Sequence, residues 1–291
     1  MDSTNHAFFA PCPRGLEAVL ADELTDLGAA DVKPTAGGVA FHGPLALCYR
    51  VNLQSRIASR ILLRIAEGSY RDEHDVYDAA NAIRWQDWFT PQQRIKVKVS
   101  AHHCPLKSLD FVTLRVKDAV CDRFQFARGK RPTVDTHAPD ILIAVYLDAS
   151  TCTFYVDTSG EPLFKRGWRR SAGEAPIREN LAAGILRLSK WTADTVLYDP
   201  MCGSGTFVIE AALMARRVAP GIGRHFAFEK LLSFDAQRVN DLRTELKAME
   251  IPIKPGLIHA ADDNAHAMTS IKANLTIAGS GDAVTLQQGD V

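Results

Sequence analysis

A chain of 291 residues with 34 Lys and Arg against 34 Asp and Glu has no net charge, which excludes a strongly basic nucleic-acid coat but not a local basic face. Hydrophobic residues make up 46% and charged ones 23%, as in globular proteins, and no apolar run approaches the roughly 20 residues of a membrane span. The length accommodates two or three domains, and the N-terminal MDSTNHAFFAPCPRG lacks the regions of a secretory signal, so the cytoplasm is the expected location.

The first 66 residues read as a small α+β layer of strand, helix, strand, helix and strand. FFAP opens it. Leu16, Val19, Leu20, Leu24 and Leu27 recur at helical spacing over 14–27, and Gly28 stops that helix. A Gly-Gly turn leads to a strand at 39–41, an amphipathic segment over 44–57 follows, and a strand covers 59–66.

Residues 67–165 repeat the theme with different content. The segments 75–82 and 85–89 look helical, and RIKVKVS at 94–100 alternates basic and apolar residues as a half-exposed strand should. The run 108–126 reads as a long helix with Leu114, Val116, Val120 and Phe124 inward and Lys107, Arg115, Lys117 and Arg123 outward. It passes into the basic loop containing Arg128, Lys130 and Arg131, and two strands follow at 141–148 and 151–160. Six cysteines lie far apart with no C-x-x-C pair, so no zinc site or disulfide framework is expected. His102, His103 and Cys104 are adjacent on an extended segment, where side chains diverge rather than converge on a metal.

Lys165, Arg166, Trp168, Arg169 and Arg170 then gather four cations and an aromatic within six residues. Charge alone fits a solvated linker as well as a surface that contacts RNA phosphates and stacks an unpaired base.

From 166 to 291 strands and helices alternate: helix 178–190, strand 195–199, helices 206–218 and 235–248, strand 256–260, helix 264–277, strand 283–287. Strands separated by helices imply parallel crossovers and a doubly wound sheet, with ligands beyond the carboxyl ends of the strands. The turn from Asp199 to Thr206 holds that position, with Pro200, Cys202, Gly203, Ser204 and Gly205 inside it. Its two glycines permit close backbone approach, and the helix behind it offers free N–H groups. A dinucleotide fingerprint would need a third glycine where Val208 stands, which disfavours a nicotinamide oxidoreductase; a P-loop would need a lysine that is absent. Asp262 with Asp263 ends the second strand and Asp290 follows the third, and three acids at three strand ends fit the ammonium, ribose and adenine donors of S-adenosylmethionine. Each acid alone also fits a helix N-cap. Cys202 sits inside the turn without an adjacent base and reads as packing rather than as a nucleophile.

DPMCGSGTFVIEAA, followed by APG and FAFEKL, resembles the first cofactor motif of class I RNA methyltransferases that carry an N-terminal THUMP domain. FFAPCPRGLEAVLADELTDLGA with GGVAFHG is similar to the ferredoxin-like lobe of that family, and LRVKDAVCDRF with LFKRGWR resembles its THUMP region. The resemblance implies a ferredoxin-like lobe at 1–66, a THUMP RNA-binding domain at 67–165 and the N-terminal part of a Rossmann-like methyltransferase domain at 166–291. It implies S-adenosylmethionine as cofactor and structured RNA as partner, with methyl transfer to guanine N2 of large-subunit ribosomal RNA. A transfer RNA guanine methyltransferase of the same build, and an RNA-binding module with an incomplete methyltransferase domain, are the alternatives. By the same resemblance Asp199, Gly203 and Gly205 line the methionine end, Asp262 or the runner-up Asp263 the ribose, and Asp290 the adenine. The family's Asn/Asp-Pro-Pro-aromatic motif is absent from residues 1–291, so no catalytic residue is assigned and this polypeptide alone is expected to be inactive. No metal and no membrane partner are expected, and the oligomeric state is not indicated.

Overall fold

The computed structural model describes residues 5–169 and 177–289; Arg170 and Asp290, both expected site residues, lie outside them. Among the described residues the N-terminal half forms seven strands and four α-helices: β1 (His6–Pro11), α1 (Glu17–Asp26), β2 (Ala30–Thr35), β3 (Gly38–Gly43), α2 (Leu47–Gln54), β4 (Leu62–Ser69), α3 (Glu73–Ala82), β5 (Ile95–Ala101), α4 (Leu109–Arg128), β6 (Ile141–Leu147) and β7 (Thr151–Asp157). The seven strands form one sheet in the order β2-β3-β1-β4-β7-β6-β5. β4 joins the two expected lobes, pairing antiparallel with β1 on one side and with β7 on the other, so the expected boundary after residue 66 falls inside a strand. Its bulge between Arg64 and Ala66 adjusts the register with β7.

β2 was absent from the sequence expectation. It is an edge strand, exposed along most of its length and carrying Lys33 and Pro34, so it has no buried face to write a period of two. The 85–89 segment is a single 3-10 turn, Trp85–Asp87, whose buried Trp85 donates from Nε1 to the Ala80 carbonyl at 2.8 Å. α4 buries Val112, Val116, Val120 and Phe124, but Leu114 faces solvent. Two residues from both Val112 and Val116, it stands about 200° of helical turn from each and cannot share their face.

The C-terminal part contains α5 (Glu179–Leu188), β8 (Leu197–Asp199), α6 (Thr206–Ala215), α7 (Ala236–Ala248), β9 (Ile258–Asp262), α8 (Ala265–Ile277) and β10 (Val284–Gln288). β8, β9 and β10 pair in parallel in the order β10-β9-β8, bringing the carboxyl ends of all three to one edge. Val208, Ile209, Ile258 and Ile271 centre the core behind them. α7 buries Val239, Leu242 and Leu246 in the core of the seven-stranded half instead. The flanking segment is stitched there by backbone bonds from Gly221 to Leu53, Phe228 to Thr158 and Leu232 to Trp88, each at 2.9 Å. The buried side chains form two cores, one under the seven-stranded sheet that takes in α7 and a second behind the three parallel strands.

Candidate cofactor site

The turn after β8 is built by backbone bonds that cross to β9. The Cys202 amide donates to the Ala261 carbonyl at 3.0 Å and the Gly203 amide to Asp262 Oδ2 at 2.8 Å, while Asp262 Oδ1 accepts from the Asn264 amide at 3.0 Å. Asn264 in turn caps α8, its Oδ1 accepting from the His266 amide at 2.8 Å. Asp262 thus fastens the turn to the end of its neighbouring strand, whereas Asp263 is exposed. The chain then reverses through Gly203 at φ +53° and Gly205 at φ +85° into α6.

The two glycines do different work. A side chain at Gly205 would meet Ile271 Cγ1 of α8 at 2.5 Å, so this glycine lets the start of α6 pack on α8. Nothing lies within 4 Å of the corresponding position at Gly203. Close approach by a ligand is therefore a property of Gly203, not of the pair.

The Asp262 charge stands near enough to raise the cost of ionising Asp199. Partial burial pushes the Asp199 carboxyl above its ordinary value, the Asp262 charge adds to that, and the bond from the Met201 amide opposes both. Burial pushes the Cys202 thiol up to about 12, with both carboxylates adding to the effect, so it is protonated at neutral pH and packs in the core. Ser204 and Thr206 are buried, and the Ser204 carbonyl accepts from Asn274 Nδ2 of α8 at 3.1 Å. The edge thus offers an open glycine, two carboxylates with no cation beside them among the described residues, and the free amides of a helix N-terminus. That donor set suits a cationic ligand with hydroxyls.

The basic run before α5 does not face solvent as a unit. Arg166 is buried, donating to Glu210 Oε1 of α6 at 3.2 Å, to the Leu163 carbonyl at 2.7 Å and to the Arg56 carbonyl at 2.6 Å. Trp168 is 4% exposed within the second core, and Arg169 is held by Glu179, Ser204 and Thr206. Arg166 and Trp168 are therefore interior, not part of the expected solvent-facing surface. The cations Arg166 and Arg169 are drawn inward by the buried acids Glu179 and Glu210, which would otherwise stand uncompensated. Lys165 remains exposed and pairs with Glu161 at 2.6 Å. Arg131 is exposed and paired with Asp122; Arg128 and Lys130 are exposed with no ion pair among the described residues, next to a highly exposed Phe126.

Glu210 was missed in the sequence although a signal existed. It is the lone charge in the apolar run of α6, and a lone acid on a buried helix requires a buried cation. Among the described residues no group of three or more His, Cys, Asp or Glu is placed to hold a metal ion, and no helix is long and apolar enough to cross a membrane.

A parallel sheet with this turn, joined to an N-terminal α+β half, defines a nucleoside-cofactor enzyme fold of the methyltransferase class. Family models match three segments: the RlmL ferredoxin-like domain over residues 7–62, the THUMP domain over 70–157, and the RMKL-like methyltransferase domain over 166–291. A ribosomal RNA large subunit methyltransferase K/L of Aeromonas salmonicida is 38% identical over 98% of this chain, which spans 40% of that protein's length. A Synechocystis sp. protein provisionally named an RNA methyltransferase is 36% identical over 94% of this chain and 71% of its own. The solved structure of SMU.472, provisionally titled a methyltransferase and complexed with SAH, superposes with a TM-score of 0.89 at 30% identity, covering 100% of this chain and 76% of that one. The chain belongs to the family of RMKL-like methyltransferases that carry RlmL-type ferredoxin-like and THUMP domains.

Proposed function

We propose that this chain is the RNA-binding and cofactor-binding part of an enzyme that methylates the N2 amine of a guanine in large-subunit ribosomal RNA, in the cytoplasm, using S-adenosylmethionine. The reading is carried by the open turn at Gly203 between two carboxylates, Asp199 and Asp262, that pair with no cation among the described residues. When bound, S-adenosylmethionine supplies an electrophilic methyl carbon on a cationic sulfur. Asp199 accepts the ammonium at its amino acid end, within the turn of Pro200, Cys202, Gly203, Ser204, Gly205 and Thr206. Asp262 accepts from the ribose hydroxyls with its remaining lone pairs, Asp263 being the alternative, and Asp290 meets the adenine.

The sign of the pH dependence follows from Asp199. Its raised value means that the carboxyl holds its proton at a higher pH than an ordinary aspartate, and only the ionised form pairs with an ammonium. Affinity for S-adenosylhomocysteine, which carries the same ammonium, is therefore full above the raised value and falls as pH drops through it. Calorimetric titration across the acidic range is expected to show this inflection above the ordinary aspartate value of 3.8, and Asp199→Asn is expected to remove it. An identical profile in Asp199→Asn would overturn the assignment.

A guanine amine is a weak nucleophile because its lone pair is drawn into the ring, so it must be held in line with the methyl carbon. The 291 residues contain no Asn/Asp-Pro-Pro-aromatic run to hold it, and on this reading they bind cofactor without transferring methyl. Label incorporated at guanine N2 by the 291-residue polypeptide would overturn that part. In cells, loss of the gene is expected to remove N2-methylguanine from large-subunit ribosomal RNA; its loss from transfer RNA instead would redirect the substrate.

RNA is held by the exposed cations Arg128, Lys130, Arg131 and Lys165. Replacing Arg128 and Lys130 with Ala is expected to flatten the dependence of log affinity on log salt by about 0.7–0.9 for each phosphate left without its cation. An unaltered slope would remove the loop from the RNA surface.

A further inference from the structure

The geometry points to Arg169 as a positioning residue for the cofactor turn, an arginine delivered by the strap that leaves the RNA-binding half. The inference rests on the cofactor site proposed above. Its guanidinium donates from Nη1 to Ser204 Oγ at 3.2 Å and from Nη2 to Thr206 Oγ1 at 2.8 Å, gripping the residues on either side of Gly205. Nε donates to Glu179 Oε1 at 2.8 Å and Nη2 also to the Ile177 carbonyl at 3.0 Å, at the start of α5. The side chain is 16% exposed and Glu179 is 6% exposed, so this is an interior clamp and not a surface pair. Four directed bonds from one planar fork use a geometry that a lysine ammonium cannot reproduce.

Two further observations favour a role in ligand binding over simple packing. A cation beside the N-terminus of α6 opposes the helix dipole, so it stands where a purely structural clamp gains least. The same position adds positive potential where the carboxylate end of an amino acid ligand meets the helix amides. The strap itself is anchored immediately before Arg169 by Trp168 in the core, and slightly further back by Arg166 on Glu210 of the same helix. The position of the turn is thereby tied to the half of the molecule that carries the THUMP domain.

The test uses the unsubstituted chain, Arg169→Lys and Arg169→Gly, with S-adenosylhomocysteine as the probe. Arg169→Lys is expected to bind the probe about tenfold more weakly, the effect of losing one charge-assisted bond, with a thermal midpoint near that of the parent. Arg169→Gly is expected to lose binding and to regain it when guanidinium ion is added at sub-denaturing concentration. Without ligand, amides at 201–209 are expected to exchange hydrogen faster in Arg169→Lys. If the parent itself binds no probe, the cofactor reading fails, and the exchange measurement still decides the clamp. Unchanged exchange, unchanged affinity in Arg169→Lys, or a folded Arg169→Gly that guanidinium does not restore would each overturn the inference. So would a flattened salt dependence of RNA binding in Arg169→Gly, where the charge is lost, which would return this arginine to the RNA surface. If Arg169→Gly does not fold, affinity and exchange in Arg169→Lys decide the matter on their own.

Discussion

Gly205→Val is expected to lower stability by roughly 3 kcal/mol or more and to abolish binding of S-adenosylhomocysteine. Two costs combine. The residue sits at φ +85°, a region closed to β-branched side chains, and its first added carbon would lie 2.5 Å from Ile271 Cγ1. Ile271 is fully buried at the centre of the second core, so it cannot swing aside, and the start of α6 must move away from α8 instead. That movement carries Ser204 and Thr206 with it and opens the turn. Gly203→Ala separates this effect from a clash with the ligand. At φ +53° with open space around it, an alanine there costs about 1 kcal/mol, yet on the proposed reading its methyl group takes space left for the ligand. Thermal unfolding with calorimetry is expected to show an unstable, non-binding Gly205→Val beside a nearly stable, weakly binding Gly203→Ala. A Gly205→Val protein as stable as the parent would refute the packing account.

The sequence carried the alternation of strands and helices because each element has one buried face with a definite period. It also placed the glycine turn, since Gly203 and Gly205 are fixed by backbone geometry that other residues avoid. It did not carry the partners of that turn. Glu179 looks like an ordinary acid in a linear reading, Glu210 signals only that some buried cation must meet it, and Arg166, Trp168 and Arg169 look like an exposed basic patch. Only the fold shows that the two buried carboxylates meet two of these cations, because Arg169 with Glu179 and Arg166 with Glu210 pair across separate elements and leave no periodic signal. β2 escaped for a related reason: an exposed edge strand is held by backbone bonds to β3, and its side chains need no pattern. The single sheet across both N-terminal lobes was hidden as well, because β4 makes it by pairing on both edges, and strand pairing is a choice of partner rather than of residue type.

Glu210→Ala is expected to destabilise the protein by about 3–5 kcal/mol, the range for breaking a buried ion pair. Glu210 is fully buried, with Arg166 Nε at 3.2 Å and Arg56 Nη1 at 3.7 Å. Burial, with the neighbouring Arg166 adding to it, pulls the Arg56 guanidinium down to about 10 even though Glu210 opposes both. Without Glu210 two cations stand side by side in the interior. Neither can withdraw, because Arg56 also caps the C-terminal end of α6 through the Leu213 and Val218 carbonyls, and Arg166 holds the Arg56 carbonyl from the strap. The loss falls on the junction between the two halves, so the variant is expected to unfold at lower denaturant and with weaker coupling between THUMP and methyltransferase segments. Glu210→Gln keeps the shape and one acceptor while removing the charge, and its cost is expected to lie between parent and Ala. A double-mutant cycle of Glu210→Gln with Arg166→Met isolates the pairwise interaction, which is expected to be at least about 1 kcal/mol for residues in one buried network. If the two substitutions prove additive, the charge between Glu210 and Arg166 does not hold the halves together, and the packing of α7 against the N-terminal core must do so instead.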